Sequence, residues 1–204
     1  MCNIDAVLFD LDGVLVDACE WHYESLNKAL KDSGYDIINR ESHISTYNGL
    51  PTKVKLKMLG LSNNMIEYIN LQKQKYTLEI ITNTAKTMPE KVELHRYLQS
   101  KNIKIGCVTN SIKETTEHML RSTGQFEYID IIVTNEDVNN NKPYPDCYNF
   151  AIDKLKANPK NVLCVEDSEI GIQAAKASIA HHLFVVRDTY DVNINTIKKE
   201  VENN

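Results

Sequence analysis

The sequence predicts an α/β protein built on a doubly wound parallel sheet. Five short apolar runs are the candidate strands, at residues 4–9, 103–108, 131–134, 162–165 and 183–186. These runs do not alternate polar with apolar residues, which indicates strands buried on both faces beneath covering helices. Segments with helical periodicity lie between them, at residues 90–100, 113–123, 147–156 and 169–178. Strands that alternate with helices are typical of this sheet class.

Residues 17–84 interrupt the alternation, because they contain helical patterns and no convincing strand. Helices are expected at 19–31, 50–59 and 63–81. Three lysines, Lys53, Lys55 and Lys57, are interpreted as a solvated helix face. The block therefore predicts a helical cap inserted after the first strand at 17–84, with the α/β core formed by 1–16 and 85–204. Open sheets bind ligands at the carboxyl ends of their strands, where the cap is expected to lie.

The composition of the chain excludes some classes of function. In a chain of 204 residues, 42% are hydrophobic and 25% charged, as in soluble globular proteins. The formal net charge of −5 leaves no basic stripe for nucleic acid. No apolar run approaches the roughly 20 residues that span a bilayer, and the strand near Ile4 leaves no room for a signal peptide. Five cysteines without a C-x-x-C pair favour a reducing compartment. We expect a cytoplasmic protein without nucleic-acid or membrane partners; the sequence does not indicate a monomer or a dimer.

Two carboxylates follow the first predicted strand directly. Asp10 and Asp12 are two residues apart, so an extended chain places both on one side. Gly13 then allows a sharp turn. At 4 Å and an effective dielectric near 20 the two charges would repel by about 4 kcal/mol. Either one carboxylate is protonated or a cation lies between them.

Further polar residues follow the later strands. Thr109-Asn110-Ser111 ends the second strand, and Ser111 with Glu114 forms a capping-box pattern that predicts a helix start with free N–H groups for a phosphate. Glu166-Asp167-Ser168 ends the fourth strand, where its carboxylates would face Asp10 and offer the oxygen ligands that Mg²⁺ prefers.

Lys142 lies in a loop stiffened by Pro143 and Pro145, which would aim its ammonium group. A nucleophilic carboxylate, a neighbouring acid/base, hydroxyl and amide donors, a cation and metal ligands are together the groups needed for phosphoryl transfer through an aspartyl-phosphate.

In their order along the chain, these motifs resemble the haloacid dehalogenase superfamily, and most closely its β-phosphoglucomutase/phosphoglycolate-phosphatase branch. The resemblance implies that Asp10 attacks phosphorus, while Asp12 protonates the leaving group and later activates water. It implies a Mg²⁺ ion held by Asp10, the backbone carbonyl of Asp12, Asp167 and Glu166, the last directly or through water. It also implies that the transferred phosphoryl group binds to Thr109, Asn110 and Lys142, and that the cap closes over the substrate.

The resemblance favours a phosphatase that acts on a small phosphorylated metabolite, such as a sugar phosphate or a phosphoglycolate-like compound. A sugar-phosphate mutase is the alternative, because mutases of the branch carry a histidine that resembles His22. Those mutases usually place an arginine about three residues after a loop glycine. Here Gly49 is followed by Thr52 at that position, and only Lys53 is nearby as a candidate contact for an anionic substrate. A receiver-type phosphorylation switch is disfavoured, because its phosphorylated aspartate follows a middle strand.

Overall fold

A computed structural model of the chain describes residues 4–47 and 50–203. The chain divides into two compact units. The core unit comprises residues 1–17 and 86–204, and the helical unit comprises Ala18–Ala85. Cys2 and the predicted loop glycine Gly49 lie outside the described residues.

The core unit contains a five-stranded parallel sheet with the strand order β3-β2-β1-β4-β5. The strands are β1 (Ala6–Phe9), β2 (Lys104–Val108), β3 (Ile131–Val133), β4 (Val162–Glu166) and β5 (His182–Val185). Each lies on one of the five apolar runs of the sequence, so the predicted doubly wound parallel sheet is confirmed. All four residues of β1 are fully buried, as expected for a central strand covered on both faces.

The helices complete the α/β pattern. Within the described ranges they are α1 (Cys19–Asp32), α2 (Arg40–Ser42), α3 (Thr52–Met58), α4 (Asn63–Thr84), α5 (Pro89–Ser100), α6 (Lys113–Ser122), α7 (Asp146–Leu155), α8 (Glu169–Ala177) and α9 (Ile194–Asn203). α5 to α9 belong to the core unit, and α1 to α4 belong to the helical unit, together with a π-helix at His43–Tyr47. Described by itself, the helical unit packs α1 against α4 around buried Leu26, Leu30, Leu56 and Ile69.

The helix α3 departs from the sequence expectation in two ways. It begins at Thr52 because the extended backbone of Pro51 occupies the N-cap position. Lys55 is buried beside Leu56, so the interpretation of Lys53, Lys55 and Lys57 as one solvated face is wrong for Lys55. Helical residues two positions apart are about 200° apart around the axis, so Lys55 lies opposite Lys53 and Lys57, on the side where Leu56 is buried.

The register of the sheet sets where polar residues can meet. Phe9, the last residue of β1, pairs with Cys107 of β2 and with Val165 of β4. The carboxyl ends of these three strands are therefore level with one another. Beyond β1 the ladder continues for one bond, because the N–H of Asp10 donates to the carbonyl of Val165 at 3.0 Å. Residues that follow the three strands accordingly converge at one edge of the sheet.

Two features bear on the predicted surroundings of the protein. Among the helices in the described ranges, none is both long enough and apolar enough to cross a membrane. Cys107, Cys147 and Cys164 are buried free thiols, and Cys19 is a half-buried one.

Candidate active site

Three carboxylates meet at the edge of the sheet where β1 and β4 end. Asp10 follows β1, Glu166 is the last residue of β4, and Asp167 comes next in the chain. One oxygen from each lies within 4.8 Å of the other two. Asp10 is 7% exposed and Glu166 is fully buried, so water solvates these charges poorly. The carboxylate of Asp12 is outside this group and accepts a hydrogen bond from Ser111.

Asp167 has a carboxylate oxygen that lacks a hydrogen-bond partner among the described residues. Its Oδ1 is buried and accepts no hydrogen bond from any described residue. Leaving a buried acceptor unpaired costs about 1–3 kcal/mol, more for a charged one. Burial raises the pKa of Asp167 to about 6, and the nearby charge of Glu166 acts in the same direction. A hard divalent cation such as Mg²⁺, which binds carboxylate oxygens, fits this donor set.

Lys142 neutralises part of the negative charge. Its Nζ donates to Asp10 Oδ1 at 2.8 Å, to Glu166 Oε1 at 2.6 Å and to the carbonyl of Val108 at 2.8 Å. All three ammonium hydrogens are therefore used. Burial alone would favour the neutral amine, but the charges of Asp10 and Glu166 outweigh it and raise the pKa of Lys142. Burial raises the pKa of Asp10, and the Lys142 ammonium opposes that effect. We assign the charged state to Lys142, because it contacts two carboxylates at once.

Asn110 holds the backbone of Lys142 in place. Its Oδ1 accepts from the Lys142 N–H at 3.0 Å, and its Nδ2 donates to the Lys142 carbonyl at 3.2 Å. The amide of Asn110 therefore reaches across from the end of β2 to fix the lysine loop. Thr109 is buried beside it, and its Oγ1 accepts from the N–H of Ser111 at 3.0 Å. That bond leaves the hydroxyl hydrogen of Thr109 able to donate to a ligand oxygen.

Ser111 does not cap α6, so the predicted capping box of Ser111 and Glu114 is wrong. The helix begins at Lys113, and its N-cap residue Ile112 makes no side-chain cap. The N–H of Lys113 donates instead to Glu136 Oε2 at 2.7 Å. The Ser111 hydroxyl donates to Asp12 Oδ2 at 3.0 Å. A serine expected to start a helix thus orients the carboxylate of Asp12.

Two glycines allow the carboxylates to approach the backbone closely. Gly13 has φ +87°, and a Cβ atom added there would lie 2.0 Å from Asp167 Oδ2. A Cβ atom added at Gly171 would lie 2.1 Å from both oxygens of Glu166. Both distances are far below van der Waals contact, so any larger residue must displace a carboxylate of the site.

The sequence analysis missed Tyr148. This fully buried residue of α7 donates its hydroxyl to Glu166 Oε1 at 2.6 Å. Burial raises its pKa well above the usual value, and the charge of Glu166 adds to this, so the hydroxyl remains a donor. The available signal was a hydroxyl on the apolar stripe of α7, next to Cys147 and one turn before Ala151. A buried tyrosine hydroxyl needs a hydrogen-bond partner.

The candidate residues of the helical unit have partners of their own. His22 Nδ1 lies 3.0 Å from Nζ of Lys73, which is buried. Lys53 is exposed, and its Nζ lies 2.7 Å from Glu67 Oε1.

The sequence analysis also missed His43. It is 2% exposed, and neither ring nitrogen has a hydrogen-bond partner among the described residues. Its ring meets the ring of Tyr23 edge-on, with the centroids 5.1 Å apart. Burial lowers the pKa of His43 to about 4, and the charge of Lys55 contributes, so the imidazole is neutral at neutral pH.

Comparisons with known proteins identify the family of this chain. The family model for haloacid dehalogenase-like hydrolases matches residues 7–185. The chain is 27% identical to a phosphorylated carbohydrates phosphatase of Thermotoga maritima, over 90% of this chain and 85% of that protein. It is 28% identical to a phosphoglycolate phosphatase of Nitrosospira multiformis, over 95% and 91%. The crystal structure of a β-phosphoglucomutase from Clostridium difficile matches with a TM-score of 0.79 and 25% identity, covering 98% of each chain. The chain belongs to the haloacid dehalogenase-like hydrolases and is an enzyme of that family.

Proposed function

We propose that this enzyme is a Mg²⁺-dependent phosphatase that hydrolyses a small phosphorylated metabolite through an aspartyl-phosphate on Asp10. The observation that carries the proposal is the meeting of Asp10, Glu166 and Asp167, in which Oδ1 of Asp167 is buried without a hydrogen-bond partner among the described residues. A bound Mg²⁺ would be held by these carboxylates and by the Asp12 backbone carbonyl, and it would supply positive charge beside the phosphoryl oxygens.

Asp10 is the proposed nucleophile. Lys142 holds one of its oxygens, so the carboxylate is fixed while the other oxygen can attack phosphorus. As the bond from Asp10 to phosphorus forms, the bond from phosphorus to the substrate oxygen breaks, and its electron pair passes to the leaving oxygen. Thr109, Asn110 and Lys142 are the proposed contacts of the transferred group. A positive charge and hydrogen-bond donors at that place stabilise the charge spread over the phosphoryl oxygens.

Asp12 is the proposed acid and base. The Ser111 hydroxyl donates to Oδ2 of Asp12 and so orients this carboxyl group. In the first step protonated Asp12 gives its proton to the leaving oxygen. In the second step it accepts a proton from water, which attacks phosphorus, releases inorganic phosphate and restores the carboxylate of Asp10.

The helical unit is the proposed source of substrate selection, as the cap at 17–84. The named activities of two relatives, on phosphorylated carbohydrates and on phosphoglycolate, support a small phosphorylated metabolite as the substrate class. His22 and Lys53 remain the candidate substrate contacts, although Lys53 is already paired with Glu67. Buried free thiols are consistent with the cytoplasm as the proposed location.

A panel of phosphorylated metabolites, together with p-nitrophenyl phosphate, tests this proposal by the release of inorganic phosphate. Hydrolysis should require Mg²⁺, stop with a chelator and be absent in Asp10→Asn. Turnover by Asp10→Asn, or hydrolysis that persists without a divalent ion, would refute the proposed nucleophile or the proposed metal dependence respectively.

A sugar-phosphate mutase is the second candidate. His22, which resembles the histidine that mutases of the branch carry, favours it, as does the structural likeness to a β-phosphoglucomutase. Thr52 at the position where the mutases usually carry an arginine opposes it. Incubation with β-glucose 1-phosphate and glucose 1,6-bisphosphate separates the two activities. A mutase converts the monophosphate to an isomer while inorganic phosphate stays low, whereas a phosphatase releases phosphate.

A further inference from the structure

The carboxylate of Glu166 is held unevenly, since its two oxygens have different partners. Oε1 accepts from Tyr148 and from Lys142, each at 2.6 Å. Among the described residues, the hydrogen-bond partner of Oε2 is Ser168 Oγ at 3.5 Å, a distance too long for a strong hydrogen bond. Two strong donors therefore face one oxygen, and the other oxygen is left to a different partner.

Tyr148 is the donor that serves Glu166 alone. The ammonium of Lys142 is shared with Asp10 and with the carbonyl of Val108, so its position is set by three acceptors together. The Tyr148 hydroxyl has one acceptor, Glu166 Oε1. The Tyr148 ring is fixed because it is fully buried in the apolar core of the unit, next to Val108 and Ala151. The hydroxyl is therefore held at a fixed position and restrains the rotation of the Glu166 carboxylate.

The face of Glu166 that meets Gly171 completes this restraint. Both oxygens and the carboxyl carbon would lie 2.1 Å from a Cβ atom on Gly171, so the carboxylate packs flat against that backbone. Hydrogen bonds to one oxygen then decide how the group lies on this surface. With Oε1 directed at its two donors, Oε2 is the oxygen that can share a cation with Asp10 and Asp167.

We propose that Tyr148 is a positioning residue that fixes which oxygen of Glu166 is presented to the divalent cation. This inference rests on the metal site of the proposed function. Groups that hydrogen-bond to a metal ligand orient it, and their loss commonly costs about 10–100-fold in metal affinity. Tyr148→Phe removes the hydroxyl and keeps the ring, so the apolar packing is retained and only the restraint on Glu166 is lost.

Isothermal titration calorimetry of the metal-free protein with Mg²⁺ measures the affinity for the ion directly. We expect Tyr148→Phe to raise the Kd for Mg²⁺ by about tenfold, while kcat at saturating Mg²⁺ changes much less than the Kd. The matched control is Tyr97→Phe, which removes another hydroxyl-to-carboxylate bond, from Tyr97 to Glu202 at 3.4 Å, and should leave the Kd unchanged. A second measurement is the rise in melting temperature when Mg²⁺ is added. If Tyr148→Phe does not fold, Tyr148→Met takes its place.

The outcomes separate this inference from the proposed function. If the wild type binds Mg²⁺ and Tyr148→Phe binds it within twofold, the positioning role is overturned and the phosphatase proposal stands. If Tyr148→Phe weakens binding but the wild type hydrolyses no phosphate ester, the positioning role stands and the phosphatase proposal falls. A wild type that does not bind Mg²⁺ overturns both.

Discussion

Loss of the buried ammonium group of Lys142 should strongly destabilise the core unit. The substitution Lys142→Met keeps an unbranched apolar stem and removes the charge. The Lys142 side chain is 4% exposed, and its ammonium lies within 2.8 Å of Asp10 and Glu166. Its removal leaves Asp10 and the carbonyl of Val108 without this donor, and leaves Oε1 of Glu166 with Tyr148 as its remaining donor.

Removing one partner of a buried ion pair costs about 3–5 kcal/mol, because the remaining charge stays in a medium that solvates it poorly. We therefore expect the free energy of unfolding of metal-free Lys142→Met to fall by about 3–5 kcal/mol near neutral pH. Urea unfolding followed by circular dichroism, with a chelator present, measures the change.

An exposed ion pair of the same unit is the control for this experiment. Lys104 lies 3.4 Å from Asp130, with side-chain exposures of 56% and 30%. Because water screens such a pair, Lys104→Met should cost less than about 1 kcal/mol. If both variants lose the same small amount, burial does not govern the strength of the Lys142 contacts, and the reasoning fails.

Four further predictions concern the site and the core. Asp10→Asn should abolish phosphate release while the urea midpoint stays near that of the wild type, and residual turnover would exclude Asp10 as the nucleophile. Asp12→Asn should lower kcat by about 10²–10⁴, the usual value of acid–base catalysis, and a smaller loss in steady-state assays would assign that role elsewhere. Gly171→Ala should weaken Mg²⁺ binding and lower the melting temperature, because the new methyl group would meet Glu166 at 2.1 Å; unchanged titration and melting curves would contradict the close approach. His95 is fully buried, and burial lowers its pKa from 6.5 to about 4, so its contribution to stability is complete above pH 6.5 and is lost as the pH falls towards 4. This contribution is about 3 kcal/mol. The difference between the free energies of unfolding at pH 6.5 and at pH 4 should therefore be smaller in His95→Gln than in the wild type. An equal difference in the two proteins would refute this prediction.

The strands could be predicted from the sequence because their environment is uniform. A residue such as Val7 or Leu8 lies in a strand covered on both faces, and a continuous apolar run is the direct consequence. The positions of Asp10, Glu166 and Asp167 were predictable for a related reason. Asp10 follows β1 directly, Glu166 is the last residue of β4, and Asp167 comes next. Because β1 and β4 are parallel neighbours in register, their carboxyl ends lie together.

The burial of polar side chains in the helical unit could not be predicted as well from the sequence. Lys55 belongs to a run of alternating lysines, and helical spacing places it opposite Lys53 and Lys57, but the run does not indicate which of these two sides is buried. His43 lies in a π-helix of five residues, which is too short to show a periodic pattern in the sequence. In both cases burial depends on how distant helices pack, and a single segment of sequence does not contain that information.

Ser111 shows why local rules fail at the candidate site in particular. Its hydroxyl could have accepted from a backbone N–H at the start of α6, which is a neutral hydrogen bond worth about 0.5–1.5 kcal/mol. It donates to a carboxylate oxygen of Asp12, which is 99 residues away in sequence, and hydrogen bonds to charged groups are roughly twice as strong. Since a hydroxyl can donate and accept at once, these two bonds do not compete for the same atom. The cap is absent because of position: α6 begins at Lys113, with Ile112 as the N-cap residue, and the N–H of Lys113 donates to Glu136. A local capping rule takes account of neither Asp12 nor Glu136, and it therefore fails at Ser111.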